Sequence, residues 1–242
     1  MVKVTVSEKR NPVPQKLKVN EQMEVTTWGA IKVNKSHFFP SSFQIISGEE
    51  IIYIDPVETG NSEKADYIFI THAHPDHFSL KTLKEISKPE TVFIVSKGVS
   101  RKLSKLKNTV KEVEPGDVID IGDIQCLSVA AYNTKSVFLW IKAHPKSKKN
   151  VGYILTFKNN TRIYHAGDTD YIPEMSDLKD ITIAMIPIGG DNLTMNMEEA
   201  AKMVNKIKPD IVIPMHYELK NENYASRFQS MIEKGIKSVP MQ

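Results

Sequence analysis

The segment "ITHAHPDHF", Ile70 to Phe78, concentrates residues that can bind a metal ion. The whole chain has only 7 histidines in 242 residues, and this turn contains three of them together with an acid: His72, His74, Asp76 and His77. Neutral imidazoles and carboxylates are good ligands for zinc and similar divalent ions. A single histidine at a strand end is usually only a polar surface residue, but four potential ligands in one turn predict a metal site.

The spacing within this turn predicts two half-sites. His72 and His74 are two residues apart, so both side chains point the same way if the segment is extended. Pro75 bends the chain, and Asp76 and His77 can then face a second position. A two-metal site is the simplest arrangement that uses all four ligands.

Two other predicted strand ends supply further ligands. "IYHAGDTD" presents Asp168 on a glycine-containing turn, and a carboxylate in such a place can bridge two cations. "VIPMHY" ends a buried strand at His216. Either motif alone is weak evidence, but three strand ends that carry ligands support one another.

Short apolar runs predict the strands that position these residues. "FQII" and "IIYID" flank a polar turn and predict a hairpin, and "DYIFITH" and "TVFIV" are rich in β-branched residues and predict two more strands. "SLKTLKEIS" has helical spacing, with Ser79 as its N-cap.

The second half of the chain predicts hairpins followed by alternating strands and helices. The hairpins turn at Gly122–Asp123 and Asn159–Asn160, and the later strands lie in "ITIAMIPI" and "DIVIPMHY". Three further helices are predicted over "VSRKLSKLK", "MEEAAKMVNKI" and "YASRFQSMIEKG". Asn196 and Glu199 are spaced as a capping box, and Gly235 is expected to end the last helix.

Composition bounds the class of protein. Hydrophobic residues make up 40% and charged residues 25%, with a formal net charge of +3, which is too small to indicate nucleic acid or membrane. The lone Cys126 requires no oxidising compartment, and a cytoplasmic location is the default expectation. We expect residues 1–24 to be an extension or edge segment and residues 25–242 to form one mixed α/β domain, for which an αββα sandwich is suitable.

The T-H-x-H-x-D-H motif at Thr71 to His77 resembles the signature of the metallo-β-lactamase superfamily. "YIDPV" before this motif and "AGDT" and "PMHY" after it occur in the order that the superfamily shows. Within it, the chain is similar to small metal-dependent hydrolases related to L-ascorbate-6-phosphate lactonase. The resemblance covers most of the chain from Val25 onward and implies a four-layer αββα sandwich with metals at one edge.

The resemblance also implies roles for individual residues. His72 and His74 would bind the first metal, and Asp76 and His77 the second. Asp168 would bridge the two metals, and His216 would complete the second site. Asp55 would brace the histidine turn from behind.

The chain departs from this pattern at one ligand. Where the superfamily usually has a third histidine for the first metal, this sequence has Asn133 in "AAYN", and His144 follows in "AHPK". Either His144 replaces that ligand or the first metal is held weakly, and His144 as a plain surface residue is the alternative. His165 should face away from Asp168 and belong to the core or to the surroundings of the ligands.

These residues together predict a metal-dependent hydrolase. A metal-bound hydroxide would attack a lactone, ester or phosphodiester, including a phosphorylated small molecule, with Asp76 and His77 as catalytic residues. Two divalent ions are expected, zinc first and manganese second. The backbone at Gly189–Gly190 could approach substrate or simply form a turn. The alternative is a non-hydrolytic metal protein with a redox or nucleic-acid role. A small-molecule substrate is expected, nucleic acid and membrane are disfavoured, and homo-oligomerisation stays open.

Overall fold

The computed structural model describes residues 3–9, 13–60, 63–220 and 223–241. The chain divides into two compact units, one formed by residues 1–113 with 241–242 and the other by residues 114–240. Both units combine a large sheet with short helices, so the predicted mixed α/β class is confirmed. Within the described ranges, none of the helices has the length and apolar character needed to cross a membrane.

The first unit is built mainly from strands. Its elements, in chain order, are β1 (Val4–Val6), β2 (Gln15–Asn20), β3 (Met23–Thr27), β4 (Ile31–Val33), β5 (Ser36–Phe38), β6 (Phe43–Ser47), β7 (Glu50–Ile54), β8 (Ala65–Ile70), α1 (Leu80–Ile86), β9 (Ser87–Ser96), α2 (Lys97–Ser100) and β10 (Thr109–Val113). Strands β1, β4 and β5 form a small sheet, and the other seven form one sheet in the order β10-β9-β8-β7-β6-β3-β2.

The large sheet changes from antiparallel to parallel pairing at β7. Strands β6 and β7 form the predicted hairpin, whereas β7, β8, β9 and β10 run parallel. Parallel strands are usually buried on both faces, and β8 ends in three fully buried residues, Ile68, Phe69 and Ile70. Since β7 and β8 run the same way, the residues that follow them emerge at one edge of the sheet.

The beginning of the chain contributes an edge strand. Residues Gln15–Asn20 pair only with β3 at the border of the large sheet, within the described residues. The predicted division between an extension at 1–24 and a domain at 25–242 stays a prediction, and residues 1, 2 and 10–12 lie outside the described part of the chain.

The second unit contains the other large sheet. Its elements are β11 (Val118–Ile121), β12 (Ile124–Ala130), β13 (Val151–Phe157), β14 (Arg162–His165), β15 (Ile183–Pro187), α3 (Met197–Ile207), β16 (Ile211–Met215), α4 (Tyr224–Met231) and β17 (Lys237–Ser238), with 3₁₀ turns at Lys146–Lys148 and Pro173–Asp177. The seven strands pair in sequence order.

This second sheet also gathers loops at one edge. β11 to β14 pair antiparallel and β14 to β17 pair parallel. The ends of β12, β14, β15 and β16 therefore all emerge at the same edge, because β12 and β14 both run opposite to β13. The predicted turns at Gly122 and Asn160 are present, each in the left-handed conformation, with φ of 55° and 62°.

Two predicted helices are wrong in extent. The segment "VSRKLSKLK" is helical only to Ser100, and the next residues form successive tight turns, with amide-to-carbonyl bonds from Lys102 to Val99 and from Leu106 to Leu103. The last helix ends at Met231 rather than at Gly235. Asn205 explains this end, because it accepts from the Glu233 amide and donates to the Met231 carbonyl.

Two other helix starts are confirmed in detail. Ser79 caps α1 by accepting the amide of Thr82, and Asn196 and Glu199 form a reciprocal capping box at α3. Each cap satisfies backbone amides that the first helical turn leaves without a carbonyl.

Candidate metal centre

The histidine turn follows β8 in the first unit and is compact. The amides of His77 and Phe78 both donate to the carbonyl of His74, at 3.0 and 2.8 Å. This turn brings the rings of His72 and His77 to a centroid distance of 4.1 Å and those of His72 and His74 to 4.7 Å. The sequence-predicted ligands of this unit are thus side by side.

The ligand atoms of the turn form two neighbouring pairs. Those of His72 and His74 lie within 4.8 Å of each other, and so do those of Asp76 and His77. In the second pair, Nε2 of His77 is 3.6 Å from Oδ2 of Asp76, whose side chain is 14% exposed. His77 is fully buried, whereas His74 is exposed.

Asp55 lies beneath the turn and fixes the orientation of His77. It directly follows β7, is fully buried and has a left-handed backbone with φ of 47°. Its Oδ2 is 2.7 Å from Nδ1 of His77, and its Oδ1 accepts the Thr71 amide at 2.8 Å. A carboxylate can only accept here, so Nδ1 of His77 carries the proton and Nε2 presents its lone pair.

Thr71 extends the same arrangement to His72. Its hydroxyl donates to Oδ2 of Asp55 at 2.6 Å, so the oxygen can accept from Nδ1 of His72 at 3.0 Å. Nε2 of His72 is then the nitrogen without a proton. Thr71 is the first residue of the T-H-x-H-x-D-H motif, but the sequence predicted no role for it, although its place between a buried strand and the first histidine was a usable signal.

Asp168 is the centre of the ligand group in the second unit. It lies on the turn after β14, where Gly167 has φ of 64°, and it is 3% exposed. Its Oδ2 is 3.5 Å from Nε2 of His144 and 3.3 Å from Nε2 of His216. The structure therefore brings two of the sequence-predicted histidines together around one carboxylate.

Asn133 holds His144 instead of pointing at the ligand group. Its Oδ1 is 2.9 Å from both the backbone nitrogen and Nδ1 of His144, and its Nδ2 donates to Asp170 and to the Leu193 carbonyl. Nδ1 of His144 also lies 3.1 Å from the Leu193 carbonyl. Both neighbours of Nδ1 are acceptors, so Nδ1 carries the proton and Nε2 faces Asp168 as a lone-pair donor.

Asp170 supports the candidate site, and sequence reasoning missed it. It is buried, and its carboxylate accepts from the amides of Thr134 and Lys135, from the Thr134 hydroxyl and from Asn133. It therefore fastens the loop that begins at Asn133. The signal was present in "GDTD", where a second acid follows Asp168 after two residues.

His216 follows β16 in a left-handed conformation, with φ of 52°. A Cβ atom placed on Gly189 would lie 2.1 Å from the His216 carbonyl oxygen, so only glycine fits beside it. The amide of Gly190 donates to Met195. One glycine accommodates His216 and the other is bonded within its own turn, so both have a packing role, and the alternative that their backbone also approaches substrate stays a prediction.

The remaining predicted histidine, His165, is fully buried on β14. Its Nδ1 accepts the Gly167 amide at 3.2 Å, so it shapes the turn that carries Asp168. It belongs to neither group of ligand atoms.

The donor chemistry of both groups fits a divalent metal. An imidazole nitrogen without a proton faces a carboxylate oxygen at Asp168, and two lone pairs at such a distance repel unless a cation or a proton lies between them. Imidazole and carboxylate together suit zinc and other first-row divalent ions. The described residues thus contain His/Asp groups that fit a metal site.

Comparison with known proteins is consistent with this chemistry. A family model described as the beta-lactamase superfamily domain matches residues 36–216. A UPF0173 protein of Pyrococcus furiosus is 34% identical over 193 residues, which are 76% of this chain and 82% of the relative. A UPF0173 metal-dependent hydrolase of Nanoarchaeum equitans is 34% identical over 220 residues, covering 85% of this chain and 95% of the relative.

A solved structure supports the fold. The crystal structure of a candidate metal-dependent hydrolase from Parabacteroides distasonis matches with a TM-score of 0.75 and 29% identity, covering 96% of this chain and 99% of that chain. The metallo-β-lactamase type of fold is thereby confirmed, whereas the closer relation to the lactonase stays a prediction. The chain therefore belongs to the β-lactamase superfamily, as a metal-dependent hydrolase of the UPF0173 group.

Proposed function

We propose that this hydrolase uses two divalent metal ions, zinc in the first place and manganese as the alternative. The first ion would be held by His72, His74 and His144, and the second by Asp76, His77 and His216. Asp168 would be shared between them. One observation carries the proposal: the buried imidazoles of His72, His77 and His144 each have Nδ1 against an oxygen acceptor, which leaves Nε2 for coordination.

Each ion would have three protein ligands of its own and would share Asp168, and two-metal sites that share a carboxylate in this way typically hold a water and substrate between the ions. When bound, such ions lower the pKa of a bound water to roughly 7 and polarise a carbonyl or phosphoryl oxygen. Structural zinc sites are usually single ions that cysteine and histidine close off, whereas a pair of ions held by histidines and carboxylates is typical of hydrolytic sites. The composition of the ligand set therefore favours catalysis over a structural role.

Asp76 is suited to move a proton. Its side chain is partly exposed at 14%, whereas His77 beside it is buried and held by Asp55. A carboxylate that reaches solvent can accept a proton from an attacking water and pass it to a leaving group. His77 would orient Asp76 and the second ion.

The proposed substrates are small molecules with a lactone, ester or phosphodiester bond. The test is turnover of a panel containing all three bond types, with metal content measured in parallel by elemental analysis. We expect turnover that a chelator abolishes and that Zn²⁺ or Mn²⁺ restores. Turnover that survives complete removal of metal would contradict the proposal.

A further inference from the structure

Five consecutive apolar residues are exposed in the loop between Asn133 and His144. They are Val137, Phe138, Leu139, Trp140 and Ile141, here called the apolar tip. Trp140 is 81% exposed, Phe138 67% and Leu139 66%. Clustered exposed apolar side chains of this size commonly mark a surface that binds a ligand, a membrane or another protein.

The apolar tip has a defined shape. The amide of Val137 donates to the carbonyl of Ile141 and the amide of Ile141 donates to that of Phe138, both at 2.8 Å, with Leu139 in a left-handed turn at φ of 47°. Asn192 also donates to the Ser136 carbonyl at 3.1 Å. The backbone thus holds the five side chains outward in a small hairpin.

The base of this hairpin is the Asn133–His144 pair. The Asn133 amide donates to the His144 carbonyl at 2.8 Å, and the His144 amide returns a bond to the Asn133 side chain. Leu193, 38% exposed, lies at the same base, because its carbonyl accepts from Asn133. The hairpin that carries the apolar tip therefore ends at His144, which is a proposed metal ligand.

The charged residues that follow the apolar tip in the chain are lysines, beginning with Lys142 directly after Ile141. Lys146 pairs with Glu174 at 2.9 Å and Lys149 with Glu114 at 2.5 Å. Lys142 and Lys148 have no carboxylate partner among the residues that the structure describes. Self-association through this surface would bring like charges together, whereas an anionic amphiphile would satisfy both the apolar and the charged features.

We propose that the apolar tip binds the hydrocarbon part of the substrate. The substrate class is then an ester, lactone or phosphodiester that carries an acyl, alkyl or aryl chain and an anionic group, with Lys142 beside the anion. This inference rests on the proposed function, since it assigns the substrate of that same site.

The test measures binding rather than turnover. Trp28 and Trp140 are the two tryptophans of the chain, so in a Trp28→Phe variant the emission reports Trp140 alone. This variant is titrated with butyl, hexyl and octyl phosphate below their micellar concentrations, and calorimetry on the natural chain repeats the series without any substitution. We expect a blue shift and an affinity that rises by about two- to fourfold for each added methylene group.

Two variants and one control test whether the apolar tip and Lys142 are the residues that bind the alkyl phosphates. Phe138→Ser should remove most of the chain-length dependence, and Lys142→Gln should weaken octyl phosphate but not octanol. Val118→Ser is the matched control, because Val118 is 58% exposed on β11 of the same unit. It should bind the whole series as the natural chain does.

Several outcomes would overturn the inference. These are no binding of any alkyl phosphate, an affinity independent of chain length, or full affinity in Phe138→Ser. A blue shift that depends only on protein concentration would identify a second copy of the chain as the occupant. A shift seen only with phosphatidylcholine–phosphatidylglycerol vesicles would identify a membrane surface.

Failure of the proposed function would look different. Metal content and turnover are measured on the same preparations, and neither enters the binding curve of Trp140. A chain that bound alkyl phosphates through the apolar tip but held no metal would contradict the proposed function alone. A chain that hydrolysed the panel with no preference for longer chains and no tip binding would contradict only this inference.

Discussion

Asp55 and His77 form a fully buried pair in which a carboxylate oxygen lies 2.7 Å from Nδ1 of the imidazole. The same carboxylate also accepts from the amide and hydroxyl of Thr71. One side chain at the end of β7 therefore sets the position and the protonated nitrogen of a proposed ligand 22 residues further along the chain.

Asp55→Asn is expected to weaken metal binding by roughly 10- to 100-fold, the usual effect of losing a partner that orients a ligand. The side-chain amide of asparagine would place its N–H groups against Thr71 and His77, which donate hydrogen bonds to the Asp55 carboxylate in the natural chain. Asparagine tolerates the left-handed backbone at this position, so the fold should persist. Competition with a coloured chelator measures the affinity. Asp66→Asn, at a half-buried aspartate of β8, is the control and should bind metal normally.

Gly189→Ala is expected to displace His216. The added Cβ would lie 2.1 Å from the His216 carbonyl oxygen, and backbone cannot yield to it cheaply. We expect a loss of stability of about 1–3 kcal/mol and a metal content that falls without vanishing. Thermal unfolding and elemental analysis measure the two effects. Gly98→Ala is the control because its added Cβ would meet open space, and equal behaviour of the two variants would be evidence against the packing role.

His72→Ala and Asp168→Ala should each abolish metal-dependent turnover and lower metal content, because each removes a proposed ligand. His37→Ala is the matched control, since His37 contacts Ser7 on another part of the first unit and lies in neither ligand group. Elemental analysis of all three variants decides the question. Full metal content and activity in either ligand variant would show that the site is assigned incorrectly.

Asn133→Ala should loosen His144 while leaving the other ligands in place. The ring of His144 would lose one of the two acceptors that fix its Nδ1 proton, and its backbone amide would lose its partner. We expect a moderate loss of metal affinity, roughly tenfold. Thr134→Ala removes a neighbouring contact to Asp170 but none to His144, so it should have little effect on the same titration.

Cys126 should be unreactive while the chain is folded. Its side chain is fully buried on β12, and burial raises the pKa of the thiol to about 12 despite the neighbouring Ser128, which lowers it. Little thiolate is then present at neutral pH, and reagent cannot reach it. A thiol-specific chromogenic reagent should react only after guanidinium is added. Rapid reaction of the native protein would contradict this burial.

Local sequence patterns predicted most strands because short β-branched runs end at unmistakable turn residues. They failed where hydrogen bonds between distant residues decide the outcome. "VSRKLSKLK" has helical spacing, yet its chain closes into tight turns after Ser100. The end of α4 depends on Asn205 in another helix. Such partners are invisible to periodicity.

The candidate ligands could be proposed from sequence because most of them lie close together in the chain, whereas the residues that support them could not. The histidine turn is local, so its spacing alone identified four residues. The relation of Asn133 to His144 joins two ends of a loop, and Asp170 acts through backbone amides of that loop. No spacing rule distinguishes such a fastening residue from an ordinary loop residue.

The fastening at Asn133 and His144 also bears on how such a protein can diversify. Both ends of the intervening segment are anchored by bonds that involve no side chain of residues 137–142. Surface segments with fixed ends accept changes of sequence and length at small entropic cost. We therefore expect this segment to tolerate replacement and insertion. Relatives that share these anchors could change the segment, and with it the molecules that they recognise, without changing the candidate metal-binding residues.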